Sequence, residues 1–195
     1  MNSKFDKTYW ENKYIENKTG WDIGYVSTPI KEYINQLKDK NISILIPGAG
    51  NGHEVAYLYH QGFKNVTVID IAEIPLKNLA EKIPEFPKEK LINEDFFDHT
   101  KTYDLIIEQT FFCAINPQMR NSYASKMKSL LNKGGKLIGL LFDFELTEEG
   151  PPFGGSKEEY LALFSTIFNI KILEECNNSI KPRFGREFFF IFEKK

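Results

Sequence analysis

The chain has 195 residues, of which 42% are hydrophobic and 27% are charged, and its formal net charge is −2 with a pI near 6.0. These values are typical of one soluble globular domain, which we expect to span residues 1–195. The balanced charge excludes the strongly basic surface that binding to nucleic acid or to an anionic membrane requires. No apolar run reaches the length of a membrane span and the N-terminus has no apolar signal-peptide core, so we predict a cytoplasmic protein.

Cysteine and histidine spacing predicts no metal site. Cys113 and Cys176 lie far apart, and His53, His60 and His99 form no ligand motif with cysteine or acidic partners. Reduced thiols are expected in the cytoplasm. We also expect a monomer, with a small molecule as the partner.

The first 28 residues form a predicted N-terminal arm. Tyr9, Trp10 and Tyr14 fall near helical spacing, which predicts a short helix that ends at Ile15, and Trp21 follows in an irregular segment. Both tryptophans of the protein lie in this arm. Its aromatic residues either cover one edge of the core or line a ligand site.

Strands and amphipathic helices alternate after the arm. Strands are predicted over 42–46, 66–70, 90–92, 104–107, 136–142, 169–175 and 187–192. Helices are predicted over 29–37, 54–61, 76–83, 117–131 and 156–164. A turn-rich segment joins the last two strands, so the final strand should be antiparallel. The pattern predicts an α/β, doubly wound, Rossmann-like sheet of seven mostly parallel strands, with ligands bound beyond the carboxyl ends of the central strands.

A glycine-rich loop separates the first two strands. It reads PGAGNG from Pro47 to Gly52, and Asp70 ends the second strand. Alternate glycines let the main chain turn tightly and leave room for a ligand against the backbone, while an acid about 20 residues further on can accept both hydrogens of a ribose diol. His53 stands where the dinucleotide motif has its third glycine, which argues against a nicotinamide nucleotide. The loop therefore predicts a different nucleoside cofactor.

Acidic and aromatic residues follow the third and fourth predicted strands. Asp95 could accept a hydrogen bond from an adenine amino group, and Phe96 could stack on the ring. Alternatively, Asp95 could only cap a turn, because aspartate is common in turns, and Glu94 could be a solvated residue. Gln109 ends the fourth strand at the same predicted edge.

Four motifs carry a resemblance to a known family. They are the Trp21-Asp22-x-Gly24 segment, the glycine loop continuing into His53-Glu54, the FFCAINPxMR run from Phe111 to Arg120, and Gly150-Pro-Pro-Phe153. Together they resemble the thiopurine S-methyltransferase family of class I S-adenosylmethionine (SAM) methyltransferases, and most closely its plant branch of thiol, halide and thiocyanate methyltransferases. The likeness extends from about residue 10 to residue 186, and the FFCAINPxMR run is its most specific part.

The resemblance implies the class I methyltransferase fold, an arm that folds over the cofactor, and SAM as cofactor with S-adenosylhomocysteine as product. The cofactor-binding residues that it implies are Trp10, Tyr14, Trp21, Gly48, Gly50, Asp70, Glu94, Asp95, Phe96 and Gln109. Tyr14 stands where the plant branch usually has tryptophan, and Gln109 where it often has tyrosine.

The resemblance is less specific about the residues that contact the methyl acceptor. Phe153 and Arg183 are predicted to contact the acceptor. Arg183 or Arg120 could attract an anion, or Arg120 could only anchor its helix. We interpret Cys113 as a buried packing residue, because direct methyl transfer needs no covalent enzyme intermediate.

The predicted function is therefore methyl transfer from SAM to a small soft nucleophile, such as a thiol, hydrosulfide, thiocyanate or halide, by in-line displacement. A heterocyclic thiol of the thiopurine kind or a metalloid anion is the alternative acceptor. A non-catalytic SAM-binding protein and a nicotinamide-dependent oxidoreductase are alternatives from other classes.

Overall fold

The structure is a computed structural model that describes residues 4–48 and 50–195; Ala49 of the glycine loop lies outside the described residues. The chain divides into two compact units, an N-terminal unit Met1–His99 and a C-terminal unit Thr100–Lys195. Its strands form one seven-stranded sheet in the order β3-β2-β1-β4-β5-β7-β6. Within the described parts of the chain, no helix is long and apolar enough to cross a membrane.

The helices and strands alternate along the chain, as the sequence predicts. The α-helices are α1 (Lys7–Ile15), α2 (Thr28–Gln36), α3 (His53–His60), α4 (Glu73–Lys82), α5 (Arg120–Ser129) and α6 (Lys157–Phe164). The strands are β1 (Ile44–Pro47), β2 (Val66–Asp70), β3 (Leu91–Asn93), β4 (Tyr103–Gln109), β5 (Leu131–Phe142), β6 (Phe168–Glu175) and β7 (Glu187–Lys194).

The N-terminal unit holds three parallel strands. Ile44 pairs with Val66 at the start of β1 and β2, and Asp70 pairs with Asn93 at the end of β2 and β3. Every residue of β1 and β2 is buried, as expected for parallel strands that are covered on both faces. Consequently the glycine loop and Asp70 leave this part of the sheet at neighbouring strand ends.

The C-terminal unit contains the one antiparallel strand. β4 and β5 are parallel, whereas β7 runs antiparallel to both β5 and β6. Tilted stacks of Phe164, Phe190 and Phe192 fill the core beside these strands, with ring centroids 4.5–4.8 Å apart. This arrangement confirms the predicted mostly parallel seven-stranded sheet with an antiparallel C-terminal strand.

The predicted helix over 117–131 is too long at both ends. The segment opens with a 3₁₀ turn, Pro117–Met119, and α5 ends at Ser129. Leu131 already belongs to β5, and Gly134, with φ +73°, lies within that strand segment. The buried pair Leu130 and Leu131 satisfies both the helical and the strand pattern, so the apolar periodicity could not mark the boundary.

Helices α6 and α2 begin in different ways. In α6 the capping box is present, with the Ser156 hydroxyl accepting the N–H of Glu159 and the Glu159 carboxylate accepting the N–H of Ser156. In α2 Ser27 occupies the cap position and Pro29 lies in the first turn, but the Ser27 side chain makes no capping hydrogen bond. The start of α2 therefore rests on proline and on burial of its apolar face.

Candidate functional site

The glycine loop turns by left-handed backbone conformations. Gly48, Gly50 and Gly52 have φ angles of +69°, +51° and +65°. A Cβ atom on Gly52 would lie 2.6 Å from Leu79 of α4, so this position requires glycine for close packing as well as for its φ angle. A Cβ atom on Gly50 would meet only the indole Nε1 of Trp21, at 3.9 Å. The loop therefore presents its backbone beside an aromatic side chain of the arm.

Three aromatic side chains of the arm meet beside this loop; we call Trp10, Tyr14 and Trp21 the aromatic cluster. The Trp10 and Trp21 rings are 5.7 Å apart at 78°, and the Tyr14 and Trp21 rings are 5.8 Å apart at 80°. Edge-to-face contacts of this kind are a favoured arrangement of aromatic rings. The structure thus brings together the three aromatic residues that the resemblance assigns to the cofactor.

Polar contacts fasten α1 to the ends of β2 and β3. The Glu11 carboxylate accepts the backbone N–H of Glu73 at 2.6 Å, at the N-terminus of α4, where a negative charge is favourable. The Lys7 ammonium donates to the Asn93 side chain at 3.1 Å, and Asn93 donates to the backbone carbonyl of Asp70 at 2.9 Å. The arm is therefore attached to the strand end that carries Asp70.

Asp70 lies beside the aromatic cluster. Its side chain is 9% exposed, and its Oδ1 atom accepts the N–H of Ala72 at 2.8 Å. Burial and then the charges of Asp70, Asp22 and Glu11 raise the pKa of the Tyr14 hydroxyl. The cluster is thus surrounded by negative charge and suits a cationic ligand.

Sequence reasoning missed a contact of the arm with the glycine loop and with the first residue of α3. The Asp22 carboxylate bonds to the side chains of Asn51 and His53. Both Asp22 and His53 stand out in the sequence, the first within the tryptophan motif and the second in place of a glycine, but nothing in their spacing indicates that they meet.

The residues after β3 make local contacts. The exposed Asp95 carboxylate accepts the N–H of Phe97 at 2.9 Å, which closes a turn. Phe96 is 5% exposed and contacts the edge of the Phe97 ring at 5.3 Å. Glu94 pairs with the buried His99 ring. Adenine binding by Glu94, Asp95 and Phe96 stays a prediction.

In the C-terminal unit, Arg183 is an ion-pair partner of Glu187. Their closest N–O distance is 3.5 Å, and the guanidinium lies 5.6 Å from the centre of the Phe142 ring. Phe153 is buried, and its N–H donates to the carbonyl of Cys113 at 2.7 Å. An anion at Arg183 would therefore compete with a carboxylate that is already in contact with it.

Arg120 and Cys113 both serve packing. The Arg120 guanidinium donates to the carbonyl of Gly154 at 2.6 Å and stacks on the Phe112 ring at 4.6 Å, so it joins the start of α5 to the glycine- and proline-rich loop. Burial, together with the charge of Glu108, raises the pKa of the Cys113 thiol. Cys113 is therefore a neutral buried thiol in this structure.

Glu108 is a fully buried acid near the end of β4. Its Oε1 atom accepts the N–H groups of Phe111 and Phe112 at 2.6 and 2.9 Å, which orders the turn after the strand. Within the described chain its Oε2 atom is buried without a hydrogen-bond partner. Burial, and then the nearby Glu187 charge, raise its pKa to about 7 against the opposing effect of these hydrogen bonds. Gln109, the next residue, is half-buried at the end of β4.

Among residues 4–48 and 50–195, no group of three or more His, Cys, Asp or Glu side chains is arranged to hold a metal ion.

The fold is that of the class I SAM-dependent methyltransferases. A solved structure with the same fold is the 1,6-didemethyltoxoflavin-N1-methyltransferase of Burkholderia thailandensis with bound S-adenosylhomocysteine. The TM-score is 0.77 at 16% identity, over 97% of this chain and 87% of that one.

The family is defined by sequence. The model of the thiopurine S-methyltransferase family matches residues 5–194, and the chain belongs to this family. The chain is 30% identical over 184 residues to a protein of Arabidopsis thaliana named "Probable thiol methyltransferase 2", and 31% identical to thiocyanate methyltransferase 1 of Brassica oleracea. Each match covers 91% of this chain and 81% of the relative.

The protein is therefore a SAM-dependent methyltransferase, and SAM is its cofactor. The N-terminal unit fits this group on three observations: an open backbone face at Gly50, a carboxylate at the end of β2, and aromatic rings surrounded by acidic side chains. The open backbone lets a ligand approach the main chain closely, and the carboxylate can accept hydrogen bonds from a ribose diol. The aromatic rings with their acidic neighbours suit the positive charges of a sulfonium and an amino group.

Proposed function

We propose that this methyltransferase transfers the methyl group of SAM to a small soft nucleophile, namely a thiol or hydrosulfide, thiocyanate or a halide. The observation that carries the proposal is the 30–31% identity, over 91% of the chain, to plant relatives named for thiol and thiocyanate substrates. The bacterial relatives named thiopurine S-methyltransferase are less similar, at 24% identity for the protein of Vibrio cholerae.

In this reaction the main task of the protein is to align the acceptor with the methyl group. SAM supplies a methyl group on a sulfonium centre. Holding an acceptor in line with such a centre can lower a barrier by roughly 7–11 kcal/mol. Thiolates and halides are already nucleophilic, so the enzyme needs no strong general base for them.

The proposed cofactor site lies in the N-terminal unit. The aromatic cluster stabilises the sulfonium, Asp70 accepts from the ribose hydroxyls, and the backbone at Gly48 and Gly50 faces the methionine portion. The edge-to-face packing of the rings and the acidic groups around Tyr14 support this assignment. We extend the proposed cofactor contacts, on the sequence pattern and the family resemblance, to Glu94, Asp95, Phe96 and Gln109.

The proposed acceptor contacts are Phe153 and Arg183. A guanidinium next to the Phe142 ring combines positive charge with an apolar face, which suits a soft, weakly hydrated anion. Arg183→Met should then raise KM for thiocyanate and leave KM for SAM nearly unchanged. Lys171→Met, which removes an exposed lysine of β6, is the control.

A headspace assay tests the proposed acceptor class. The purified protein is incubated with SAM and, in separate vials, with iodide, thiocyanate, hydrosulfide or an aryl thiol, and volatile methylated products are measured. Turnover of at least one of these acceptors is expected. Turnover of a thiopurine-like heterocyclic thiol or a metalloid anion alone would overturn the proposed acceptor class.

We further propose that the enzyme acts as a cytoplasmic monomer. The location is supported by Cys113 and Cys176, which are both buried and form no disulfide bond among the described residues. Light scattering during size-exclusion chromatography would test the oligomeric state, and a dimer mass would overturn it.

A further inference from the structure

A hydrogen-bonded chain connects the arm to the glycine loop and to α4; we call Asp22, Asn51, His53 and Lys82 the arm clamp. The His53 Nε2 atom lies 2.8 Å from Asp22 Oδ1, and the Asn51 side-chain amide donates to Asp22 Oδ2. The N–H of Gly24 also donates to Asp22 Oδ1, at 2.8 Å. Both carboxylate oxygens of Asp22 are therefore held.

Lys82 fixes the orientation of the His53 ring. Its ammonium lies 3.3 Å from His53 Nδ1 and 3.4 Å from the carbonyl oxygen of Asn51. Because a lysine ammonium can only donate, Nδ1 must accept, and the ring proton must sit on Nε2 and point at Asp22. The hydrogen bonds therefore run in one direction, from the Lys82 ammonium through the His53 ring to the Asp22 carboxylate of the arm.

The contact between Asp22 and His53 is largely shielded from water, whereas Lys82 is exposed. The side chains of His53 and Asp22 keep only 17% and 22% of their exposure. Burial raises the pKa of Asp22, but the hydrogen bonds from Gly24, Asn51 and His53 outweigh it and hold the pKa below its ordinary value. The carboxylate therefore stays ionised at neutral pH, and charge-assisted hydrogen bonds in partly buried surroundings are stronger than exposed ones.

The clamp bears directly on the aromatic cluster because Trp21 precedes Asp22 in the chain. The Trp21 indole nitrogen lies next to Gly50, and its ring makes edge-to-face contacts with Trp10 and Tyr14. Holding the Asp22 carboxylate against the loop limits where the indole can lie. A free arm would have to be ordered at the moment of binding, which costs affinity.

We propose that His53 is a positioning residue: by holding Asp22 against the glycine loop, it fixes Trp21 beside Gly50 and so pre-forms the cofactor site before the cofactor binds. The role of Trp21 toward the cofactor rests on the proposed function, whereas the position of Trp21 in the free protein does not.

Tryptophan fluorescence of the free protein tests the clamp. In a Trp10→Phe background Trp21 is the sole tryptophan, so acrylamide quenching reports its exposure alone. We expect His53→Ala to raise the quenching constant about twofold and to shift the emission to the red. His53→Gln should restore the wild-type values, because its amide can donate to Asp22 and accept from Lys82. His60→Ala, at the exposed end of the same helix, is the matched control.

Non-additivity separates positioning from a general loss of stability. Asp22→Ala and His53→Ala should each raise quenching, and the double variant should raise it no further than Asp22→Ala alone, because removing Asp22 already breaks the contact with His53. Independent, additive increases would overturn the clamp. Circular dichroism confirms folding, and if His53→Ala fails to fold, Lys82→Gln, with Lys77→Gln as its control, takes its place in the same comparison.

The enzyme assay supplies the second readout. His53→Ala should raise KM for SAM about tenfold, with kcat changed less than KM, and His53→Gln should recover most of the loss. If quenching is unchanged in His53→Ala, the proposed positioning role of His53 is overturned, whatever methyl-transfer activity the variant has. Absence of methyl transfer by the wild-type protein overturns the proposed function and leaves the quenching result standing.

Discussion

Replacing Glu108 by glutamine should make the free energy of unfolding less dependent on pH. The Glu108 side chain is fully buried and contacts two backbone N–H groups through one oxygen only. The amide that Glu108→Gln introduces can accept the same two hydrogen bonds with its oxygen and carries no charge at any pH. A protonated carboxyl also places a hydrogen-bond donor in this buried position, so the variant resembles the acid form of the wild type.

The size of the effect follows from the pKa. Burial first, and then the charge of Glu187, raise the pKa of Glu108 from 4.5 to about 7. A raised carboxyl pKa means that the unfolded chain loses its proton first, so the stability contributed by the protonated group is complete below pH 4.5 and falls as the pH rises toward 7. With about 1.36 kcal/mol per pKa unit, the loss is roughly 3 kcal/mol at pH 8 and under about 1 kcal/mol at pH 5.

Urea unfolding at pH 5 and pH 8 measures this difference. Relative to the wild type, Glu108→Gln should gain about 2 kcal/mol of unfolding free energy between the two pH values. Glu89→Gln, an exposed acid outside the sheet, should show no such gain. If the difference in unfolding free energy between Glu108→Gln and the wild type is the same at both pH values, then Glu108 does not carry its proton in the folded protein at neutral pH.

Three further variants test separate parts of the structure. Asp70→Ala should weaken S-adenosylhomocysteine binding by about 1–3 kcal/mol through the loss of charge-assisted hydrogen bonds, as measured by calorimetry with Glu89→Ala as control, and equal affinities would remove Asp70 from the site. Trp21→Ala should weaken SAM more than S-adenosylhomocysteine, by about 0.5–2 kcal/mol, because only SAM carries the sulfonium; equal losses would contradict a cation–π contact. Ser156→Ala should lower the unfolding free energy by about 1 kcal/mol through loss of the capping box, whereas Ser122→Ala on the surface of α5 should not.

Most of the fold could be predicted from the sequence. Buried runs such as those of β1 and β2 are largely apolar, and turn residues bound them, so the order of strands and helices could be predicted. The end of α5 could not, because Leu130 and Leu131 are both buried and only the tertiary pairing of Leu131 with Tyr103 assigns the second of them to a strand.

The residues of the proposed cofactor site stand out in the sequence where local chemistry marks them. Glycines in left-handed conformations and an acid at a strand end have fixed spacing, and both arm tryptophans stand out in composition. The contacts of Asp22 with Asn51 and His53 are separated by 29 and 31 positions, and no local pattern encodes them. The contact of Lys82 with His53 could not be predicted either, because a lysine in an exposed position of a helix such as α4 is common and needs no partner.

Calorimetric titration with S-adenosylhomocysteine is the most direct test of the proposed cofactor site. We predict one binding site per chain for this product, an affinity that falls in both Asp70→Ala and Trp21→Ala, and no heat from NADH. Binding of NADH without binding of S-adenosylhomocysteine, or product binding that neither substitution affects, would contradict the assignment of the aromatic cluster and Asp70 to SAM.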